Sequence, residues 1–474
     1  MLQTAATTHR DAERRIMSTD HNISRRQILQ ATGGLAAAAT LTGFKMPNVN
    51  SSVDDTIRVA LVGCGGRGSG AAVNAMATSP QGPIKLYAMA DVFKDRLDSS
   101  YDNIKGTIKD QMDVPDSRKF VGFDAYKKAM DSLRPGDVVI LTTPPAFRWL
   151  HFTYAISKKL NVFMEKPVCN DGPTSKKMLA LADQASAAGL KVGVGLMSRH
   201  AVNIQELYKR VQDGEIGDII LMRGYRMHGP AGYSESAPKP DNMTHLEYQI
   251  RRFHSFLWAS GGLFNDFYIH HVDHLCWMKN AWPVSAQAVG GRHFRDRDGV
   301  GMVDQNFDSY SVEYTFSDGS KFFFDGRCVQ GAMGRYSSYI HGTKGIAIAA
   351  RANDCGGPSA IYKGQNIDPA NLAWQSSDRS NPYQNEWVSL IDAIRKGKPY
   401  SEVKSGVDAS LSSSMGRMAA HTGQEITFDA MKNCDHEFAP GIADLKIGGD
   451  SPLMPGPDGK YPIPVPGVKT TREY

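Results

Sequence analysis

Short apolar runs alternate with helical spacing over the first half of the chain. Residues 57–62, 84–90, 138–141, 161–164 and 191–196 read as strands. Helical patterns begin near Gly70 and occupy 151–159 and 176–188. Near-continuous apolar strands separated by helices predict a parallel, doubly wound sheet covered on both faces. Ligands of such sheets gather beyond the carboxyl ends of the strands. That edge would hold Gly63, Asp91, Thr143 and Lys166.

Beyond Arg199 the period changes to two. Residues 218–226, 285–291, 309–316, 321–327 and 336–341 alternate, with turn pairs such as Asp318-Gly319. This predicts an open, largely antiparallel sheet. Helices are expected at 387–395 and 406–421. From about Phe438 the chain is rich in Pro and Gly, which predicts an extended tail that wraps its own body or reaches a neighbouring subunit.

The first strand runs directly into Gly63-x-Gly65-x-x-Gly68, and a helix pattern follows. In that context the first glycine permits a tight turn, the second admits a pyrophosphate, and the third lets helix and strand pack closely. The helix N-terminus attracts the phosphates. Gly66 and Arg67 complete the turn. Asp91 ends the second strand about 20 residues on, where a ribose hydroxyl ligand is expected. Its charge favours NAD over NADP, an inference that Lys94 and Arg96 weaken. The fold class is therefore α/β: an N-terminal Rossmann doubly wound parallel sheet, then a C-terminal α+β domain with a large, mainly antiparallel open sheet. The expected divisions are a signal and linker at 1–50, the dinucleotide domain at 54–198, a substrate and oligomerisation domain at 199–430, and the tail at 431–474. Helix 406–421 is expected to pack back on the first domain.

The chain of 474 residues has a formal charge of +5, part of it in the N-terminal segment. Elsewhere acidic and basic residues are mixed, so no nucleic-acid surface is indicated. Ser24-Arg25-Arg26-Gln27-Ile28-Leu29 precedes an alanine-rich apolar stretch from Ala31 to Phe44. A charged start, a short apolar segment and small residues make a signal peptide, and the paired arginines point to the twin-arginine route. Cleavage falls among Ala36 to Ala39 or a little later, Met17 is a candidate start, and no membrane anchor is expected. That route carries folded proteins, so a periplasmic enzyme of this kind is expected to hold its cofactor tightly. Six cysteines, none spaced C-x-x-C, indicate neither a zinc site nor a redox dithiol.

The densest chemistry lies in Asp266-Phe267-Tyr268-Ile269-His270-His271-Val272-Asp273-His274. On an α-helix Asp266 and His270 are i,i+4 neighbours, and Asp273 stays near that face. A carboxylate beside an imidazole orients it and raises its basicity, as removal of an alcohol proton requires. His270, His271 and His274 do not share one face, so no metal is expected here.

The glycine turn, the strand end Glu165-Lys166-Pro167 and the Asp266-x-x-x-His270-x-x-Asp273 helix occur in this order. Together they resemble the glucose–fructose oxidoreductase / inositol dehydrogenase (Gfo/Idh/MocA) family, over roughly Thr56 to Asp429. Thr143-Pro144-Pro145 resembles the family's loop under the nicotinamide, and Gly416-Arg417-Met418-Ala419 resembles exported members. The resemblance implies a nicotinamide-dependent enzyme acting on a secondary hydroxyl of a sugar, glycoside or cyclitol. By that likeness His270 is the acid/base, Lys166 polarises the hydroxyl, Asp266 orients His270 and Asp273 binds substrate hydroxyls. Gly63, Gly65, Gly66, Arg67, Gly68, Asp91, Thr143, Pro144, Glu165 and Lys166 would hold NAD, with NADP left open.

Tyr268 and His271 depart from the family pattern and are expected to shape the substrate pocket, with Arg199 near the cleft or in a structural ion pair. The segment from His228 to Trp258 is expected to cap the cleft with aromatic rings, or to pack as a loop. Two activities compete: a dehydrogenase or sugar–sugar oxidoreductase, and a redox-neutral glycosidase, lyase or epimerase that restores its own cofactor. A homo-oligomer, dimer or tetramer, is expected by fold analogy.

Overall fold

The structure is a computed structural model that describes residues 54–293, 296–297 and 299–474. The signal peptide and linker expected over 1–50 lie outside the described residues.

The apolar runs of the first half become β1 (Ile57–Val62), β2 (Ile84–Asp91), β3 (Lys119–Val121), β4 (Val138–Leu141), β5 (Asn161–Met164) and β6 (Val192–Val194). They alternate with α1 (Gly66–Met76), α2 (Lys94–Ile108), α3 (Ala125–Asp131), α4 (Arg148–Ser157) and α5 (Gly172–Ala187). All pairings are parallel, in the order β3-β2-β1-β4-β5-β6. Both β4 and β5 are buried at every position, because helices cover both faces of the sheet. The strand order reverses between β1 and β4, which opens a crevice at their carboxyl ends.

The second half begins with α6 (Val202–Gln212), β7 (Ile219–His228), α7 (His245–Arg251) and α8 (Leu257–Ser260). A π-helical turn, Phe264–Tyr268, leads into α9 (Ile269–Lys279). Then come β8 (Ser285–Gly291), a small hairpin of β9 (Asp296–Arg297) and β10 (Val300–Gly301), β11 (Ser309–Thr315), β12 (Lys321–Cys328) and β13 (Arg335–Gly342). The chain continues through β14 (Gly345–Ala350), β15 (Ala360–Lys363), β16 (Leu372–Gln375), α10 (Pro382–Arg395), α11 (Val403–Thr422), β17 (Ile426–Thr427) and α12 (Phe428–Asn433). Nine strands form the second sheet, in the order β16-β15-β14-β13-β7-β12-β11-β8-β17. Strand β12 alternates strictly between buried and half-buried positions, as a sheet with one covered face requires. One pair, β7 with β12, is parallel. Strand β14 escaped the sequence reading because Gly-Ile-Ala-Ile-Ala-Ala is buried at every position and shows no alternation.

One apolar cluster joins the sheets, with Leu141 and Val194 from the first side and Tyr314, Phe324 and Met415 from the second. Helix α11 runs through it. Its small residues allow close approach, and Ser410 and Ser413 donate to carbonyls one turn back. The Val168 N–H donates to Ser410 Oγ at 3.1 Å, tying α11 to the segment after Lys166. All six cysteines are free thiols; Cys355 and Cys434 are half-buried and the others buried. The tail lies on its own chain. Gln249 Nε2 donates to the Leu453 carbonyl at 2.8 Å, Gln305 Nε2 donates to the Pro462 carbonyl at 2.7 Å, and Tyr461 Oη lies 2.6 Å from His245 Nδ1.

Burial pushes the imidazoles of His151 and His270 down to about 3 and that of His274 to about 4. The unfolded chain therefore takes up protons that the folded chain refuses. Stability is complete above the unfolded value of about 6.5 and falls by roughly 1.4 kcal/mol per pH unit for each imidazole below it. The loss continues until the folded values near 3 and 4 are reached. Circular-dichroism melts should show Tm falling between about pH 7 and about pH 5, with a shallower fall in His274→Gln. A Tm independent of pH over that window contradicts the neutral, buried assignment.

Candidate functional site

A cavity of about 720 Å³ opens at the carboxyl ends of β1, β2 and β4. The glycine turn supplies its floor. Gly63 has φ +97, and a Cβ there would sit 2.7 Å from the Thr142 and Thr143 backbone. A Cβ on Gly68 would lie 2.2 Å from the Gly63 carbonyl, whereas Gly65 and Gly66 face open space. Helix α1 starts without a side-chain cap, and its first residues, Gly66, Arg67 and Gly68, line the cavity. Volume, backbone cradle and helix terminus all fit the phosphates of a dinucleotide.

Asp91 lines the cavity. Its two oxygens accept from the backbone N–H groups of Cys64 at 2.7 Å and Phe93 at 2.8 Å, which fixes the carboxylate at the rim. Lys94 turns away to Asp98, and Arg96 donates to the Arg251 carbonyl at 2.9 Å. Thr143 and Pro144 also line the cavity, and Thr143 Oγ1 lies 3.1 Å from His151 Nδ1. Arg67 bridges outward from the turn. It pairs with Glu165 at 2.5 Å and Glu386 at 3.4 Å and lies over the Tyr383 ring. Burial alone would lower the Arg67 guanidinium, but Glu165 and Glu386 hold it above its ordinary value. Glu165 is thus a brace between the glycine turn and β6, where a Cβ on Gly195 would meet it at 2.5 Å.

Lys166 stands at the end of β5 and reaches the π-helical turn. Its Nζ lies 3.2 Å from Asp266 Oδ1 and also donates to the Asp266 carbonyl. The other carboxylate oxygen is 2.7 Å from His254 Nε2. Burial would raise the Asp266 carboxyl, yet Lys166 and His254 together hold it well below the usual carboxylate range. The expected pairing of Asp266 with His270 is therefore corrected. Residues 264–268 wind as a π-turn, which rotates Asp266 off the α-helical face toward Lys166.

The carboxylate that faces His270 is Asp354, from the loop between β14 and β15. Burial would raise its carboxyl, and His270 and Arg226 overcome this and lower it. Arg226 Nη1 pairs with Asp354 Oδ1 at 3.1 Å, and His271 Nδ1 lies 3.8 Å from the same oxygen. Asp354 also lines a second cavity of about 540 Å³, together with Met197, Asn203, Asn381 and Tyr383. Buried His270 has no hydrogen-bond partner for Nδ1 among the described residues.

Four expected substrate contacts are placed elsewhere. Asp273 is fully buried, and Arg199 donates to both its oxygens at 3.0 Å. That structural ion pair occupies Arg199 and Asp273 alike. Tyr268 is enclosed by Phe264, Tyr310 and Phe324, because the π-turn directs it into the apolar core. His271, also fully buried, stacks on Tyr336. Among the described residues, no group of three or more His, Cys, Asp or Glu is arranged to hold a metal, and no helix is long and apolar enough to cross a membrane.

The sequence reading missed His254 and Asp354. His254 lies in the aromatic segment 228–258, whose Tyr233 and Phe253 line the first cavity beside it. Asp354 carried only the signal of a polar turn, Asn353-Asp354-Cys355-Gly356-Gly357.

Residues 204–348 match the GFO/IDH/MocA C-terminal domain, and residues 22–42 match a twin-arginine translocation signal sequence. An inositol 2-dehydrogenase of Rhizobium meliloti (strain 1021) is 25% identical over 351 residues, covering 72% of this chain and 90% of that protein. The solved aldose–aldose oxidoreductase of Caulobacter crescentus has a TM-score of 0.59 at 16% identity, over 78% of this chain and 99% of its own. A levoglucosan dehydrogenase, solved with NADH and levoglucosan, has a TM-score of 0.59 at 16% identity, over 79% of this chain and 99% of its own. The two solved structures share the fold: a parallel nucleotide-type sheet joined to a large open sheet. The matched C-terminal domain and the inositol dehydrogenase relative mark this chain as an oxidoreductase similar to the Gfo/Idh/MocA proteins, with a signal for export by the twin-arginine route.

Proposed function

We propose that the protein transfers a hydride between NAD and a secondary hydroxyl of a sugar, glycoside or cyclitol in the periplasm. One observation carries this reading. Lys166, held by Asp266, stands between strand β5 and the helix that bears a buried, neutral His270. When bound in the glycine-lined cavity, the nicotinamide would supply the two-electron chemistry. Gly63, Gly65, Gly66 and Gly68 would admit the phosphates, and Thr143 and Pro144 the nicotinamide end. A 2′-phosphate would meet the Asp91 carboxylate, which favours NAD.

Lys166 supplies a fixed positive charge where alkoxide character develops on the substrate oxygen. Asp266 and His254 keep that ammonium in one position. Burial lowers the His270 imidazole to about 3, so it is neutral near pH 7, the form in which a proton acceptor starts its cycle. The Asp354 charge stabilises the cation that forms when it does so. The cavity lined by Asn203, Asp354, Asn381 and Tyr383 offers the mixture of amide, carboxylate and aromatic groups that hydroxyl-rich rings require.

The export signal favours a second reading. Outside the cytoplasm a free nucleotide pool is absent, so the enzyme would be a redox-neutral glycosidase, lyase or epimerase. The hydroxyl it oxidises would be reduced again within the same cycle, with the cofactor retained.

His270→Ala and Lys166→Met should each lower kcat by about 10²- to 10⁴-fold while nucleotide binding, followed by fluorescence, persists. Unchanged turnover in either variant removes the role given to that residue. Gly68→Val should abolish nucleotide binding in titration calorimetry, because its Cβ would sit 2.2 Å from the Gly63 carbonyl; wild-type affinity in that variant contradicts the cradle. Sugar-dependent reduction of added NAD, read by nicotinamide absorbance, marks the dehydrogenase. Product formation without net reduction marks the redox-neutral cycle.

A further inference from the structure

The nucleotide cavity has a wall that the six-stranded sheet does not supply. Residues 442–446 of the tail line it, as do Asp91, Phe93 and Arg96. Ile442 is buried, and Leu445 half-buried, in an apolar cluster that also contains Phe93 and Phe147 of the cavity and Trp258 of the segment preceding the π-turn. Lys446 is exposed at the rim.

This wall has little regular structure, only a short 3₁₀ turn at Ile442–Asp444. Its position is fixed by anchors on either side. Upstream, the Phe438 N–H donates to Asp171 Oδ2 at 3.0 Å. Downstream, the Ser451 hydroxyl donates to Gln249 Oε1 at 2.5 Å. The last anchor is the end of the chain. Glu473 accepts from Arg417 Nε at 2.9 Å and Nη2 at 2.8 Å, and its second oxygen lies 2.7 Å from His421 Nδ1. Arg417 and His421 are fully buried, and Glu473 almost so. Burial would raise the Glu473 carboxyl, but Arg417 and His421 hold it down at about 2. Neighbouring Tyr474 packs its ring 5.3 Å from Phe438, closing the loop on the upstream anchor. An ion pair buried this completely is costly to separate, so it specifies one place for the chain end.

The same guanidinium reaches the chemistry. Arg417 Nη2 donates to the Asn170 carbonyl at 3.0 Å and Nη1 to the Gly261 carbonyl at 3.1 Å. Asn170 follows Lys166, and Gly261 precedes Asp266. The chain end is therefore fastened to both segments that meet at the site.

We propose that residues 442–446 form the outer wall of the dinucleotide site at its adenosine end, held there by the Glu473–Arg417 clasp, so that a bound dinucleotide leaves only when the tail lifts. This rests on the reading that the glycine-lined cavity binds the dinucleotide. It supplies a physical basis for cofactor retention in an exported enzyme.

The test is the rate at which full-length protein, loaded with NADH, releases it into excess NAD, followed by the fluorescence of bound NADH. Leu445→Ala combined with Lys446→Ala alters the wall alone, and Glu473→Gln loosens the clasp. Each should release NADH about ten-fold faster or more, with KM for the nucleotide rising by more than kcat changes. The wall variant should do so with an unchanged Tm, which separates a direct wall from general loosening. If wild-type protein holds NADH and the wall variant releases it at the same rate, the proposal is overturned, whatever Glu473→Gln does. If wild-type protein binds no NADH, the dinucleotide reading falls, and this proposal with it.

Discussion

The contact between Lys166 and Asp266 is the constraint on which the arrangement turns. It joins the end of a strand in the parallel sheet to the turn that launches α9 from the second sheet's side. Neither residue can do chemistry from its own element alone. A lysine at a strand end is a mobile charge, and a carboxylate in a buried turn is a desolvation cost. Paired, they hold a fixed cation where the end of β5 meets the π-turn. The surrounding structure serves that placement. Arg67 and Glu165 brace the glycine turn against the same strand end, and His254 takes the second oxygen of Asp266.

The electrostatic pattern divides into charges that are paired and imidazoles that are not. Asp266, Asp354 and Glu473 are buried and held ionised by cationic or imidazole neighbours. His270 and His274 are buried and held neutral. A site with a permanent cation beside a neutral base suits proton removal from an alcohol, since one group stabilises the anion while the other takes the proton. Asp273 and Arg199 belong to neither set; their mutual ion pair fixes helix α9 to the 3₁₀ turn Met197–His200 that follows β6.

Much of this was legible in the sequence because it is local. The glycine turn, Asp91 and the strand end at Lys166 follow from a strand pattern and fixed spacings, and the structure puts them along one edge. The β-strands of the second sheet were legible where alternation was strict, as in β12, and not where both faces are covered, as in β14. Within the site, ideal α-helical geometry led the reading astray. A π-turn at 264–268 shifts Asp266 toward Lys166 and Tyr268 into the core, and no spacing rule announces that turn. His254 and Asp354 were missed for a different reason: each reaches the site from a loop distant in sequence. The tail was read as extended, but its clasp depends on a pairing across 56 residues, between Arg417 and Glu473.

The central claim concerns where a dinucleotide would lie relative to Lys166. The most direct measurement is a crystal structure of the protein grown with NADH. The account predicts density for the pyrophosphate over Gly65 and Gly66, the adenosine beneath residues 442–446, and the nicotinamide beside Thr143 within reach of the Lys166 ammonium. Nucleotide bound away from the glycine turn, or Lys166 directed away from Asp266 and the ring, would contradict it.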